Sequence, residues 1–280
     1  MREDFSFFTH SGNKIRCSVY SNNKEISKPC LILVHGFKGF KDWGFWPYTA
    51  EFFSKNGFNV ISFNFSHNGV GDSLTDFDEL DKFSENTISL EVDELDEIIN
   101  AIKEGSCCNL KCSSIGIVGH SRGGAVSILA SAKNKNVDAL AVWASVAKLD
   151  RYPERQKKEW KEKGFIEVLN SRTLQMMRLN VTLLDDIEKN KNTTLNIESA
   201  VKKLNKPFLI IHGEQDLTVP VEEGKLLFEF SDKEKTDFEI IPATGHTFDI
   251  VHPFESSNAK FDKILNLTLN FFKKNLFPEE

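Results

Sequence analysis

The strongest constraint on the fold is a series of short, continuously apolar segments that alternate with longer segments of helical periodicity. The apolar segments have the length of β-strands and lie at residues 30–35, 58–65, 115–119, 139–144, 208–212 and 238–241. Strands buried on both faces read as continuous apolar runs, whereas strands with one solvated face alternate. Regular alternation of such strands with helices predicts one α/β domain, residues 1–280, with a mostly parallel sheet and helices on both faces.

Two of the intervening helices have clear sequence signals. Pro47 lies where a first helical turn tolerates proline and Gly57 where a helix ends, which predicts a helix over 48–56. Residues 88–102 carry one apolar stripe at steps of three and four, formed by Ile88, Val92, Leu95, Ile99 and Ile102. The acidic residues of this segment are predicted to form its solvated outer face, with a calcium or partner surface as the alternative: Glu91, Asp93, Glu94, Asp96 and Glu97.

Two segments depart from simple alternation. Near the N-terminus, residues 5–9 and 14–20 flank a Ser-Gly-Asn turn and predict an antiparallel hairpin. About sixty residues separate the fourth and fifth apolar runs, where a crossover needs only about a dozen. The charged, helix-like sequence at 151–163 and 168–189 predicts a helical insertion over residues 146–206, which is a candidate lid.

Composition narrows the possible partners. The chain has 35 Lys and Arg against 41 Asp and Glu, a formal net charge of −6, so we expect no nucleic-acid or membrane binding, which usually needs a basic face. No run approaches the roughly 20 apolar residues of a membrane span, and no leader pattern is present, which predicts a cytoplasmic protein. Five cysteines without paired Cys-x-x-Cys spacing predict incidental thiols rather than a metal or redox cluster: Cys17, Cys30, Cys107, Cys108 and Cys112.

The most informative motif is Gly-x-Ser-x-Gly at residues 119–123, which read Gly-His-Ser-Arg-Gly. It directly follows the apolar run at 115–119, and a helix-capable run follows it at 125–132. A serine between a buried strand and a helix lies on a sharp turn with its hydroxyl exposed at the edge of the sheet. The motif therefore makes Ser121 a candidate nucleophile, and an ordinary glycine-rich turn is the alternative.

A serine hydroxyl needs a general base and an acid that orients the base. Asp216 follows the run at 208–212 and His246 follows the run at 238–241, so the order along the chain is Ser, Asp, His. Parallel strands deliver the loops at their carboxyl ends to one edge of the sheet, which favours these two residues. The alternatives are Glu214 and Asp150 for the acid, and His120, His212, His252, His67 and His10 for the base.

Acyl transfer also needs N–H donors for the negative oxygen of the tetrahedral intermediate. The residue after the nucleophile, Arg122, can supply one backbone donor. The second is expected from the loop at 35–39, His-Gly-Phe-Lys-Gly, where we select the N–H of Phe37. A simple tight turn at His35-Gly36 is the alternative.

These motifs, at residues 35–39, 69–73, 119–124, 216–220 and 245–246, together resemble those of the α/β-hydrolase family. Within it the chain is similar to compact bacterial carboxylesterases related to cinnamoyl (feruloyl) esterases, dienelactone hydrolase-like proteins and serine aminopeptidase-like hydrolases. The resemblance implies an eight-stranded sheet with an antiparallel second strand and a lid after strand six. It also implies a triad of Ser121, His246 and Asp216, and it supports the amides of Phe37 and Arg122. Many relatives carry Asp and Arg before the Gly-x-Gly-x-Ser turn, where this chain has Ser-His-Asn.

The sequence therefore predicts a serine hydrolase that cleaves a small-molecule carboxylic ester through an acyl-enzyme on Ser121, with no cofactor and no metal. Ser121 argues against dienelactone hydrolases proper, which use a cysteine, and against dehalogenases, which use an aspartate. Aminopeptidase or thioesterase activity on the same fold, or a non-catalytic ligand-binding module, are the alternatives. The sequence leaves the oligomeric state open.

Overall fold

The strands form one large sheet and one small hairpin. Within residues 1–24, 26–171 and 173–277, which the computed structural model describes, the strands are β1 (Arg2–Phe8), β2 (Lys14–Tyr20), β3 (Lys28–Val34), β4 (Asn59–Asn64), β5 (Cys112–His120), β6 (Ala139–Trp143), β7 (Phe165–Asn170), β8 (Gln175–Asn180), β9 (Phe208–Gly213) and β10 (Thr236–Ile241). The large sheet has the order β1-β2-β4-β3-β5-β6-β9-β10. Strand β2 is antiparallel to both of its neighbours, and the remaining pairs are parallel. The predicted mostly parallel, eight-stranded sheet is confirmed.

Helices cover both faces of this sheet. They are α1 (Trp46–Lys55), α2 (Leu80–Ser84), α3 (Ile88–Lys103), α4 (Arg122–Lys133), α5 (Glu154–Lys163), α6 (Val181–Asn190), α7 (Ile197–Lys203), α8 (Val221–Phe230) and α9 (Ala259–Leu276). Successive residues of a strand face opposite sides of the sheet. In β5 the two sides therefore contact different helices. A side chain at Gly116 would meet α9, whereas one at Gly119 would meet α4. Helix α1 packs against α9, and α3 and α7 pack against α4.

The acidic residues of α3 do not all face solvent. Glu91 and Glu94 are only 2% and 1% exposed, so the predicted outer face is wrong for these two residues, whereas Asp93 is exposed. Glu91 lies three residues after Ile88 and four before Leu95, and residues at these spacings share one face of a helix. The helical period thus places Glu91 on the buried stripe despite its charge.

The segment between β6 and β9 is less helical than predicted. Helix α5 agrees with the prediction at 151–163, but the helix predicted from 168 begins only at Val181. Residues before it form the antiparallel pair β7–β8. Gly164 ends α5 in the left-handed conformation, and burial then alternates along both strands, with Ile166 and Met177 among the inward side chains. In the part of the chain that the structure describes, no helix is long and apolar enough to cross a membrane.

Candidate active site

Ser121 occupies a strained turn between β5 and α4. Its backbone has φ 58° and ψ −124°, a region that non-glycine residues rarely adopt. The turn is possible because a Cβ is missing at both flanking glycines of the motif. A Cβ on Gly123 would clash with the carbonyl oxygen of His35. A Cβ on Gly119 would lie 2.6 Å from the carbonyl oxygen of Gly123, which is also too close. The strand and helix can therefore approach closely and present Ser121 at the carboxyl edge of the sheet.

The structure brings Ser121, His246 and Asp216 into one hydrogen-bonded chain. His246 Nε2 lies 3.0 Å from Ser121 Oγ, and His246 Nδ1 lies 2.7 Å from Asp216 Oδ2. Asp216 comes from the loop after β9, and His246 comes from the loop after β10. The parallel sheet places both loops beside the Ser121 turn, as the order of the residues predicted. The arrangement can move a proton away from the serine hydroxyl.

The carboxylate of Asp216 is buried, but it is surrounded by donors. Its Oδ1 accepts hydrogen bonds from the backbone N–H groups of Thr218 and Val219, at 2.9 and 2.8 Å. Burial acts to raise the pKa of Asp216, but His212, His246 and the Val219 amide outweigh it and hold this pKa well below its usual value. Asp216 is therefore ionised at neutral pH and can stabilise a positively charged His246.

The alternative acids are engaged elsewhere. Glu214 accepts a hydrogen bond from the backbone N–H of Ala243 at 3.1 Å. Asp150 forms ion pairs with Lys157 and Lys191 at 2.6 and 2.9 Å. The Nδ1 atom of His246 already faces Asp216, so neither alternative acid is the partner of the histidine.

The alternative histidines have other partners. His120 Nε2 lies 2.9 Å from the carbonyl oxygen of His246, and His212 Nε2 lies 2.8 Å from that of Val219. Burial lowers the pKa of His120 to about 3, which keeps it neutral. The remaining candidate bases are hydrogen-bonded to other residues: His10 to Glu97, His67 to Ser66, and His252 to the backbone N–H of Gly44.

The loop after β3 passes directly beside Ser121. Gly39 N–H donates to the carbonyl oxygen of Gly36 at 3.0 Å, which closes a tight turn and leaves the N–H of Phe37 outside that bond. A Cβ on Gly36 would lie 2.9 Å from the Cβ of Ser121, so only glycine allows this approach. Arg122 is the first residue of α4, and the first N–H groups of a helix have no acceptor within the helix.

Two cavities meet at Ser121. One, of about 320 Å³, lies under the segment after β6, and its walls are mostly apolar: Phe37, Ile88, Val146, Leu149, Tyr152 and Ile187. The other, of about 300 Å³, lies on the side of His246, and its walls include Gly39, Trp43, Trp46, His120 and Thr247. Arg122 and Arg151 also line the first cavity, but each forms an ion pair: Arg122 with Glu91 at 2.5 Å and Arg151 with Glu223 at 2.9 Å. A mainly apolar group therefore fits the first cavity best.

Comparison with known sequences decides the family. The sequence model of the alpha/beta hydrolase family matches residues 31–261, which include Ser121, Asp216 and His246. The chain belongs to the alpha/beta hydrolase family. The resemblance predicted from the motifs is thereby confirmed.

Relatives of this α/β hydrolase include a protein from Mycoplasma genitalium and a human protein. The Mycoplasma genitalium protein named "Putative esterase/lipase 2" is 25% identical over 292 residues, which cover 95% of this chain and 98% of that protein. Human protein ABHD12B is 44% identical over 66 residues, and the match spans only 22% of this chain and 18% of that protein. A full-length relative is thus named as an esterase or lipase.

Solved structures match the whole fold of this α/β hydrolase. The alpha/beta hydrolase GrgF from Penicillium sp. sh18 has a TM-score of 0.76 at 19% identity and covers 99% of both chains. Est1E from Butyrivibrio proteoclasticus, solved with ferulic acid bound, has a TM-score of 0.75 at 18% identity and covers 97% of this chain and 98% of its own. At these identities the matches show the shared fold.

Sequence reasoning missed two residues of this α/β hydrolase that support the site. The sequence predicts His212 as a core histidine inside a strand, and it is fully buried, but its Nε2 also lies 3.5 Å from Asp216 Oδ2, a contact that was not predicted. Glu91 was predicted to face solvent, but it is bonded to Arg122. For Glu91 a signal existed, because its spacing from Ile88 and Leu95 places it on the apolar face. For His212, its position inside a strand gave no indication of the contact.

Proposed function

We propose that this α/β hydrolase is a serine hydrolase that cleaves small carboxylic esters through an acyl-enzyme on Ser121. One observation carries the proposal: Ser121 Oγ, His246 and the buried carboxylate of Asp216 are linked by contacts of 3.0 and 2.7 Å. A nucleophile, a base within hydrogen-bond reach and an acid that orients the base are the parts that acyl transfer requires. The name of the Mycoplasma genitalium relative favours an ester as the substrate.

In the first step, Ser121 Oγ attacks the ester carbonyl while its proton passes to His246 Nε2. The imidazole then carries a positive charge, which Asp216 stabilises through the Nδ1–H bond. The carbonyl oxygen becomes negative in the tetrahedral intermediate. The N–H groups of Phe37 and Arg122 are the proposed donors to this oxygen, and the loss of one such donor typically slows catalysis about 10²- to 10³-fold.

Collapse of the intermediate expels the alcohol, which takes its proton from His246 Nε2. The leaving oxygen must therefore lie on the side of His246, so we assign the alcohol to the cavity lined by Trp43 and Trp46. The acyl group then occupies the apolar cavity lined by Val146 and Ile187. A water molecule, activated by the same His246, releases the acid and regenerates Ser121. This chemistry needs no metal or cofactor.

The test is the Ser121→Ala variant, assayed with p-nitrophenyl butyrate and with a fluorophosphonate probe. We expect loss of turnover and of labelling, because no other group supplies the attacking oxygen. Ser114→Ala is the matched control, since Ser114 lies near the start of the same strand and its hydroxyl donates to the Leu276 carbonyl at 2.9 Å, far from Ser121 along the strand. Full turnover in Ser121→Ala would refute the proposal. Parallel assays with an aminoacyl p-nitroanilide and an acyl-CoA compare ester with amide and thioester substrates.

A further inference from the structure

The side chain of Arg122 links the two residues whose amides are the proposed oxyanion donors. Its guanidinium carbon lies 4.6 Å from the centre of the Phe37 ring, which is the geometry of a cation–π contact. The Nη2 of the same guanidinium donates to Glu91 Oε1 at 2.5 Å. Arg122 is therefore held both by the loop after β3 and by helix α3.

Glu91 is an unusual residue to find at this place. It is 2% exposed, and the same Oε1 accepts a second hydrogen bond from Asn86 Nδ2 at 2.7 Å. Burial raises the pKa of Glu91, although the charge of Arg122 opposes this shift. A buried carboxylate is costly unless a cation and hydrogen bonds compensate it. The Glu91–Arg122 pair thus fixes the direction of the guanidinium with a charge-assisted bond.

The Phe37 ring contacts Arg122, Phe83 and Lys38, whose Nζ lies 5.6 Å from the ring centre. Besides Arg122, it stacks on Phe83, with ring centres 5.7 Å apart and planes inclined by 26°. Contacts with a guanidinium and with a second ring restrict the Phe37 ring, and therefore the backbone to which it is attached. Since Phe37 belongs to the tight turn of residues 36–39, this contact restricts the direction of its N–H.

We propose that Glu91 is a positioning residue for the oxyanion hole, acting through the Arg122 guanidinium on the Phe37 loop. This inference rests on the proposed function. Oxyanion donors act mainly in the transition state, so their displacement lowers kcat and leaves KM nearly unchanged. Misplacement of a catalytic group by about 1 Å can cost about 10²-fold in rate.

The test compares Glu91→Gln with Glu94→Gln. Glu94 lies on the same helix and is equally buried, but its carboxylate binds Ser66 rather than Arg122. For Glu91→Gln we expect kcat to fall about 10- to 100-fold, with KM within about twofold and a parallel loss of affinity for a boronic acid that mimics the tetrahedral intermediate. For Glu94→Gln we expect kcat within about twofold of wild type, because that carboxylate does not touch Arg122.

A double variant keeps the test valid if Glu91→Gln does not fold. Glu91→Gln with Arg122→Gln removes both charges together, so neither charge is left buried without its partner. It should fold and show a similar loss of kcat, because the Phe37 ring then loses its contact with the guanidinium, while its contacts with Phe83 and the Lys38 ammonium remain. Wild-type kcat in either folded variant, or an equal loss in Glu94→Gln, would overturn the role of Glu91. If the wild-type enzyme itself neither hydrolysed esters nor reacted with the fluorophosphonate, the proposed function would fail instead.

Discussion

The substitution Asp216→Asn tests the proposed role of the carboxylate most directly, because the surrounding donors dictate how the new side chain must point. Two backbone N–H groups, of Thr218 and Val219, donate to Oδ1. Asparagine can satisfy both only by placing its carbonyl oxygen there. Its NH₂ group then replaces Oδ2 and faces His246 Nδ1 across 2.7 Å.

This orientation reverses the tautomer of His246. An NH₂ donor needs the lone pair of Nδ1, so the imidazole proton moves to Nε2, which can then no longer accept the proton of Ser121. The opposite orientation of asparagine would leave two buried N–H groups facing another donor, at about 1–3 kcal/mol each. That total of about 2–6 kcal/mol corresponds to a productive population reduced by about 30-fold to about 2 × 10⁴-fold. Loss of the negative charge beside the imidazolium adds to this, and we expect kcat/KM to fall by about 10³- to 10⁴-fold.

The assay is kcat/KM for p-nitrophenyl butyrate at neutral pH, with thermal unfolding followed by circular dichroism to establish that the variant is folded. Glu214→Gln is the matched control, because Glu214 lies in the same loop and its exposed carboxylate accepts from the Ala243 amide rather than facing His246. It should retain activity within about twofold, as expected for an exposed position. If folded Asp216→Asn kept more than about one tenth of wild-type activity, the tautomer argument would be refuted.

Two further predictions concern the surroundings of the site. In Gly36→Ala, the new Cβ would lie 2.9 Å from Ser121 Cβ and 3.0 Å from the His120 carbonyl oxygen. The loop must shift, so kcat and the rate of fluorophosphonate labelling should both fall about 10- to 100-fold, and unchanged rates would contradict the proposed position of the Phe37 donor. Burial raises the pKa of Glu94 to about 7 in the folded protein, compared with about 4.3 in the unfolded chain. The folded state therefore binds the proton more tightly than the unfolded state, and the free energy of unfolding falls as the pH rises from about 4 to about 7. Urea unfolding should show wild type losing about 2–3 kcal/mol relative to Glu94→Gln between pH 5 and pH 8, and a pH-independent difference would contradict this assignment.

The sheet and the Ser121 turn could be predicted because their signals are local. Continuous apolar runs mark strands with two buried faces, and the Gly-x-Ser-x-Gly motif lies between a strand and a helix in the sequence itself. The position of His246 followed from the parallel sheet. The sequence favoured Asp216 over Glu214 as the acid but could not decide between them. The decision depends on the loop conformation, which directs the N–H groups of Thr218 and Val219 toward Asp216 Oδ1.

The hairpin β7–β8 could not be predicted, because its signal depends on tertiary contacts. The sequence from 168 onward is rich in residues that also suit helices, and a short strand is stabilised by the surface that it covers. Gln175 Nε2 donates to the Phe77 carbonyl oxygen, and Lys38 Nζ donates to that of Leu169, both at 3.1 Å. These partners lie about 100 residues or more away along the chain, beyond the reach of a local pattern.

Two acidic residues of α3, Glu91 and Glu94, lie on the buried face of the helix, although charged side chains usually face solvent. A charged residue at a core-facing position of an amphipathic helix must have a partner from elsewhere, because an unpaired buried charge would destabilise the fold. Glu91 binds Arg122 of the Ser121 turn, and Glu94 binds the backbone N–H of Ser66 after β4 at 3.0 Å. Ser89, at the start of the same helix, donates from its hydroxyl to Asp186 Oδ1 of α6 at 2.5 Å. Helix α3 therefore connects three segments of the structure through its polar side chains, two of which, Glu91 and Glu94, the composition assigns to solvent.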